Sequence, residues 1–235
     1  MSVIEHIREH PYFWANLLST AWLTALGALL LRRSDFRLSI ISGLLNAPCF
    51  VFLRFLEGSY WTPVRLGAAV LDAGDVLCSY AVAAMAWFAL TAGQRRRITA
   101  AFSWRVFLVR YNAVAGLSVV CFLAVYAAGM EGMTALVVTC LAVALVLFVR
   151  LRSFRAMALE SMLRFGVLYF AVVKVYFAFW PAFVKQWNPV PPWGVPVAGV
   201  PLGEIVWSLV FGAYWALFMA FVFRMAITKE DGAPA

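Results

Sequence analysis

The chain has 235 residues, 65% of them hydrophobic and 13% charged, with a mean hydropathy of +0.88. That is far above the roughly 45–50% apolar content of soluble domains, and it excludes a water-soluble globular enzyme. The net charge of +8 does not point to nucleic acid, because no basic segment is interleaved with aromatics in a soluble module.

Mostly apolar runs long enough to cross a bilayer recur along the whole length: 11–31, 38–56, 74–92, 111–128, 133–149, 163–183 and 200–224. Nothing is left over for a soluble domain, so residues 1–235 form a single integral membrane unit. The segment before the first run contains His6 and His10 but no basic leader, and no small-residue cleavage site follows, so the first run reads as a retained helix. Asn46 and Pro48 mark a kink or a packing polar group in the second run. Lys174 sits near the middle of the sixth run, and Pro181 marks that run's end. Residues 225–235 read as a flexible cytoplasmic tail.

With the amino terminus outside, the cytoplasmic loops and tail hold Arg32, Arg33, Arg37, Arg95, Arg96, Arg97, Arg105, Arg110, Arg150, Arg152, Arg155, Arg164, Arg224 and Lys229, which is 14 of the 19 basic residues. Outside stand Arg8, Arg54, Arg65 and Lys185. This bias sets the orientation, with the carboxyl terminus cytoplasmic. The positive charge then meets anionic lipid headgroups. Arginine outnumbers lysine 16 to 3, which hints at a GC-rich bacterial source and hence a bacterial inner membrane.

Cys49, Cys78, Cys121 and Cys140 are scattered in or beside apolar runs, without a C-x-x-C, and read as small buried hydrophobes. With histidine only at His6 and His10, neither a metal site nor a disulfide framework is expected. No glycine-rich fingerprint after a strand implies a flavin or nicotinamide, so no cofactor is expected.

An internal repeat organises the runs. Arg-rich segments open the second and sixth. Trp61-Thr62-Pro63 follows the second and Trp187-Asn188-Pro189 the sixth, an offset of 126 residues. Asp75 and Glu204 open the third and seventh, an offset of 129. The expected architecture is therefore an all-α membrane protein with two parallel three-helix repeats, 11–92 and 133–224, joined by a linking helix at 111–128. Binding sites commonly lie between such halves.

An acid inside a membrane helix costs roughly 2.5–3.5 kcal/mol at the centre, so Asp75 and Glu204 are functional candidates; near a helix start they also complement the helix dipole. Glu204, Trp207 and Phe211 share one helix face. Lys174 reads as an ion-pair partner for Glu204 or Asp75, or as a residue that positions a carboxylate. A retinal-type lysine in the seventh run is excluded, since 200–224 contains none.

The basic stretch, the glycine-containing helix, the Trp-x-Pro turn and the Val200-Pro201-Leu202-Gly203-Glu204-Ile205-Val206-Trp207 segment together resemble the lycopene cyclase domain. This is the membrane-integral carotenoid cyclase of the bacterial heterodimeric and archaeal type. The resemblance covers nearly all of 11–224. Family members carry Pro-x-Glu-Glu where this chain has Pro201-Leu202-Gly203-Glu204, and the other half has Asp72-Ala73-Gly74-Asp75. The resemblance implies proton-initiated, redox-neutral cyclisation of a carotenoid or other polyprenyl end group. Glu204, Asp75 and Asp72 are the candidate catalytic acids. A carboxyl group in an apolar pocket can stay protonated near neutral pH, and of two close carboxyl groups one serves as acid and one as base. Lys174, Trp207, Phe211, Tyr80, Trp87, Trp61 and Trp187 are the candidate substrate-binding residues, because aromatic faces attract a cation. The expected partners are a carotenoid or polyprenyl lipid and membrane lipids, with a membrane protein or a second copy as macromolecular candidates. The alternative reading is a non-catalytic carotenoid- or lipid-binding protein, or an accessory subunit of a larger membrane complex.

Overall fold

The computed structural model describes residues 3–66, 72–94, 97–189 and 191–228. The apolar runs become helices whose ends are set by proline, by capping side chains and by arginine. After a short α1 (Val3–Glu9), α2 spans Pro11–Leu30, with proline in the first turn where its missing N–H has no partner to lose. α3 (Arg33–Asn46) begins five residues earlier than expected. At Pro48 the chain tightens into a 3-10 segment, Ala47–Leu56, that completes the second crossing. Proline cannot donate to the preceding turn, and Asn46 fixes the bend by donating to the Ser79 carbonyl at 2.7 Å.

α4 (Ala73–Thr91), α5 (Trp104–Ala127), α6 (Gly132–Arg150), α7 (Arg155–Phe179), the short α8 (Pro181–Val184) and α9 (Leu202–Val222) follow. Among the described residues, seven helical segments are long and apolar enough to cross a membrane, so the protein is an all-α, multi-pass membrane protein. The helix expected as the linker, α5, starts at Trp104 and not at 111, and the sixth crossing starts at Arg152 and not at 163, because both draw their arginine-bearing flanks into the helix. Pro181 does end the sixth crossing, by opening α8.

The described residues also form two short antiparallel pairs. β2 (Pro196–Val197) and β3 (Val200–Pro201) form a hairpin leading into α9. β1 (Arg97–Ala100) pairs with β4 (Met225–Thr228), placing Ile98 opposite Ile227. Residues 225–228, expected to be part of a flexible tail, are thus tied by main-chain hydrogen bonds. Arg95, Arg96 and Lys229, with the rest of the tail, lie outside the described residues.

α4 and α9 are the central helices. In their apolar spans 72% and 61% of residues are buried, against 17–22% for α2, the second crossing, α5 and the sixth crossing. α4 packs on α2, α3 and α7, and α9 packs on α6 and α7. Small residues let these helices approach, as expected where lipid supplies no hydrophobic drive between helices. Gly212 of α9 lies against the α7 backbone, where a Cβ would stand 2.8 Å from the Ser161 carbonyl. The Ser161 hydroxyl donates to the Gly212 carbonyl at 2.8 Å. Ser42 ties three helices, donating to the Ala83 carbonyl at 2.8 Å and accepting from Trp215 Nε1 at 2.6 Å.

At the end of the bundle opposite the acids, arginines close the helix C-termini. Arg110 donates to the Phe221 carbonyl, Arg164 to that of Ala92 and Arg155 to that of Phe148, at 2.8, 2.9 and 2.9 Å. These are last-turn carbonyls of α9, α4 and α6, which lack an intrahelical donor and carry the negative end of the dipole.

The Ser42 tie has a measurable consequence. Ser42→Ala strands the buried Trp215 N–H and should cost about 1–3 kcal/mol, read as a lower thermal midpoint in detergent. Ser39→Ala should cost less, since the Ala84 carbonyl it bonds keeps its place in α4.

Candidate functional site

The repeated Trp-x-Pro turns meet. Trp61 and Trp187 form an antiparallel bridge, with ring centroids 6.3 Å apart. Thr62 N–H donates to the Gln186 carbonyl at 2.7 Å, and Asn188 N–H to the Tyr60 carbonyl at 2.9 Å. The Asn188 side chain donates to the Gly58 carbonyl at 2.8 Å. This paired roof covers the mouths of α4 and α9, where the two acids sit.

Asp75 is 1% exposed and is held by charge. Arg65 Nε lies 3.1 Å from its carboxylate and Arg54 Nη2 3.7 Å, while the Tyr12 hydroxyl donates at 3.1 Å. Glu57 bridges the same two guanidinium groups, 2.9 Å from Arg54 and in direct contact with Arg65. Burial opposes the charge on Arg65, but Glu57 and Asp75 outweigh it and hold the guanidinium above its ordinary value. Asp72 is the N-cap of α4. Its carboxylate accepts from Gly74 N–H at 3.1 Å and Leu66 N–H at 2.9 Å, and its own N–H reaches Asp75 at 3.4 Å, completing a capping box.

Glu204 is 8% exposed and is held by neutral donors. Tyr60 OH and Trp187 Nε1 each donate to Oε1 at 2.9 Å, and Tyr169 OH donates to Oε2 at 2.5 Å. No cation pairs with it among the described residues. Burial, with Glu204 alongside, holds the Tyr60 hydroxyl far above the usual phenol range, so it stays a donor.

A glycine precedes each acid for the same steric reason. A Cβ at Gly203 would stand 2.6 Å from the Tyr60 hydroxyl, and one at Gly74 would stand 3.1 Å from the Tyr12 ring. Each tyrosine occupies the space a side chain there would fill, and from that position bonds the following acid.

Glu204 lines a cavity of about 110 Å³ enclosed by α2, α4, α6, α7 and α9, with Trp61, Trp187, Trp207 and Tyr169 among its walls. The described walls include neither Asp75 nor Asp72. Among the described residues no hydrogen bond joins Asp75 to Glu204, and each ends in its own set of donors. Phe211 lines a second cavity together with Trp207. Tyr80 lies over Gly43 and Trp87 is buried in the core, both away from these walls.

The Lys174 expectation is corrected. α7 turns Val173 inward and the next residue outward, so Lys174 is exposed and its Nζ donates to the Ala198 carbonyl in the β2–β3 turn at 2.9 Å. It pairs with neither Glu204 nor Asp75. Sequence reasoning missed Tyr12, Tyr60 and Tyr169 as carboxyl donors, and it counted Arg54 and Arg65 only as loop charges. The glycine before each acid was the available signal for the first two tyrosines. Comparison with protein-family models, with curated proteins and with solved structures finds no match.

The two acids should respond differently to neutralisation. Asp75→Asn breaks a buried ion network and should lower stability by about 3–5 kcal/mol. Glu204→Gln keeps an acceptor for its neutral donors and should cost less than about 1.5 kcal/mol. Thermal unfolding of the two purified variants in detergent compares them.

Proposed function

We propose that the protein is a membrane isoprenoid cyclase that resembles the lycopene cyclase domain and acts on a carotenoid or other polyprenyl end group. The observation that carries this reading is Glu204, held by three neutral donors on the wall of an apolar, aromatic-lined cavity. In this reading Glu204 donates a proton to the terminal double bond of an acyclic end group. The neighbouring double bond attacks the resulting cation and closes the ring. The ring cation then returns a proton to the Glu204 carboxylate. One carbon–carbon bond forms at the expense of a π bond, no electrons are gained or lost, and the acid is regenerated.

The side chains suit these steps. Tyr60, Tyr169 and Trp187 stabilise the carboxylate left after donation, as preorganised donors do for developing negative charge. Trp207, Trp61 and Trp187 offer ring faces to the cation, worth up to about 2 kcal/mol each when desolvated. Asp75, neutralised by Arg54 and Arg65, serves as the structural carboxylate that anchors the roof to α4.

We also infer that the two halves are a parallel repeat. The pairing of glycine, acid and tyrosine at the mouths of α4 and α9 supports this, as does the packing of α4 on α2 and α3 alongside that of α9 on α6 and α7. The arginine-rich end then faces the cytoplasm of a bacterial inner membrane, with the acids near the outer face.

Expression in cells that accumulate lycopene tests the activity. Extracted pigments should contain cyclised ends, and Glu204→Gln should reduce them by about 10²–10⁴-fold, the scale of general acid catalysis. Lys174→Met should leave product unchanged. Absence of cyclised product from the unaltered chain, with lycopene present in the same membranes, would overturn the carotenoid reading.

A further inference from the structure

A second apolar cavity of about 110 Å³ is lined by α4, α6 and α9, which also line the one at Glu204, and by α3 and α5. The two share five walls, Leu53, Cys78, Val82, Leu136 and Trp207, so they adjoin through the centre of the bundle. Along α9 they run from Glu204 to Tyr214, ten residues and about 15 Å at 1.5 Å per residue. An occupant of both is elongated, apolar, and about half as long as the hydrocarbon core is thick.

The far cavity also specifies what its end must carry. Thr139 is 4% exposed and its hydroxyl has no hydrogen-bond partner. A buried hydroxyl without a partner is unfavourable, and other polar side chains on this wall already have partners. Asn46 donates to the Ser79 carbonyl, and the Ser118 and Tyr214 hydroxyl groups bond one another at 3.2 Å. Trp207 Nε1, where the cavities adjoin, is likewise unpartnered. Among the described residues no lysine or arginine lines the far cavity, which disfavours a phosphate or carboxylate end. A hydroxyl matches Thr139, which can both donate and accept.

We propose that the two cavities form one site for an acyclic prenyl alcohol, with its isopropylidene end at Glu204 and its hydroxyl at Thr139. The proposal rests on the cyclase reading only for which end faces Glu204.

Titration of the purified full chain in detergent with farnesol, farnesene and farnesyl diphosphate, followed by tryptophan fluorescence, tests it without turnover. Farnesol should bind about tenfold tighter than farnesene, the scale of one hydrogen bond, and farnesyl diphosphate should bind more weakly than farnesol. Thr139→Val, close in shape to the native side chain, should erase the farnesol advantage and leave farnesene affinity unchanged. A farnesol analogue with a diazirine at its isopropylidene end should label the Glu204–Trp207 stretch. Equal binding of farnesol and farnesene, a farnesol advantage that survives Thr139→Val, or labelling confined to residues outside the first cavity would each overturn the proposal. Farnesol binding with these features, together with no cyclised pigment in the lycopene-accumulating cells, would overturn the carotenoid reading and leave this one standing.

Discussion

A carboxyl group buried in an apolar helix bundle must be met by donors that the protein itself supplies, since the lipid around it offers none. This chain meets that demand twice, at the mouths of α4 and α9, with opposite chemistry. Asp75 receives two guanidinium groups, balanced in turn by Glu57. Glu204 receives two phenols and an indole. The difference separates their surroundings. Asp75 is fixed in place by cations, whereas Glu204 is met only by neutral donors and faces the cavity.

The same demand explains the roof. Tyr60 and Trp187 come from loops 127 residues apart, yet both must reach Glu204, so the two turns have to pair. Gly203 is the concession that lets Tyr60 in. At Gly203 the Tyr60 hydroxyl takes the space a side chain would fill, and from there the donor reaches Glu204 across the loop.

Much of this was legible in the sequence, and the limits have physical reasons. Apolar runs near bilayer length admit little but helix, so the crossings were evident. The spacing of Trp61, Asp75, Trp187 and Glu204 pointed to the place where the chain gathers its acids. Helix rotation was not legible: Lys174 and Val173 are adjacent, and only packing decides that the valine points inward. Nor was the conversion of topological arginines into caps. Arg110, Arg155 and Arg164 look like loop charges until the helix C-termini they close are in view. The 3-10 second half of the second crossing followed from Pro48 in kind but not in extent. The strand at 225–228 depends on a partner more than a hundred residues away, which local pattern cannot supply.

The proposed division of labour between the acids, with Glu204 as the proton donor, is open to direct chemical test. Dicyclohexylcarbodiimide, an apolar reagent that couples to protonated carboxyl groups, can approach Glu204 through the cavity, whereas Asp75 is shielded and paired. Treatment of the purified protein in detergent, followed by peptide mass spectrometry, should place the modification on Glu204 and leave Asp75 free. Modification of Asp75, or of neither acid, would contradict the account.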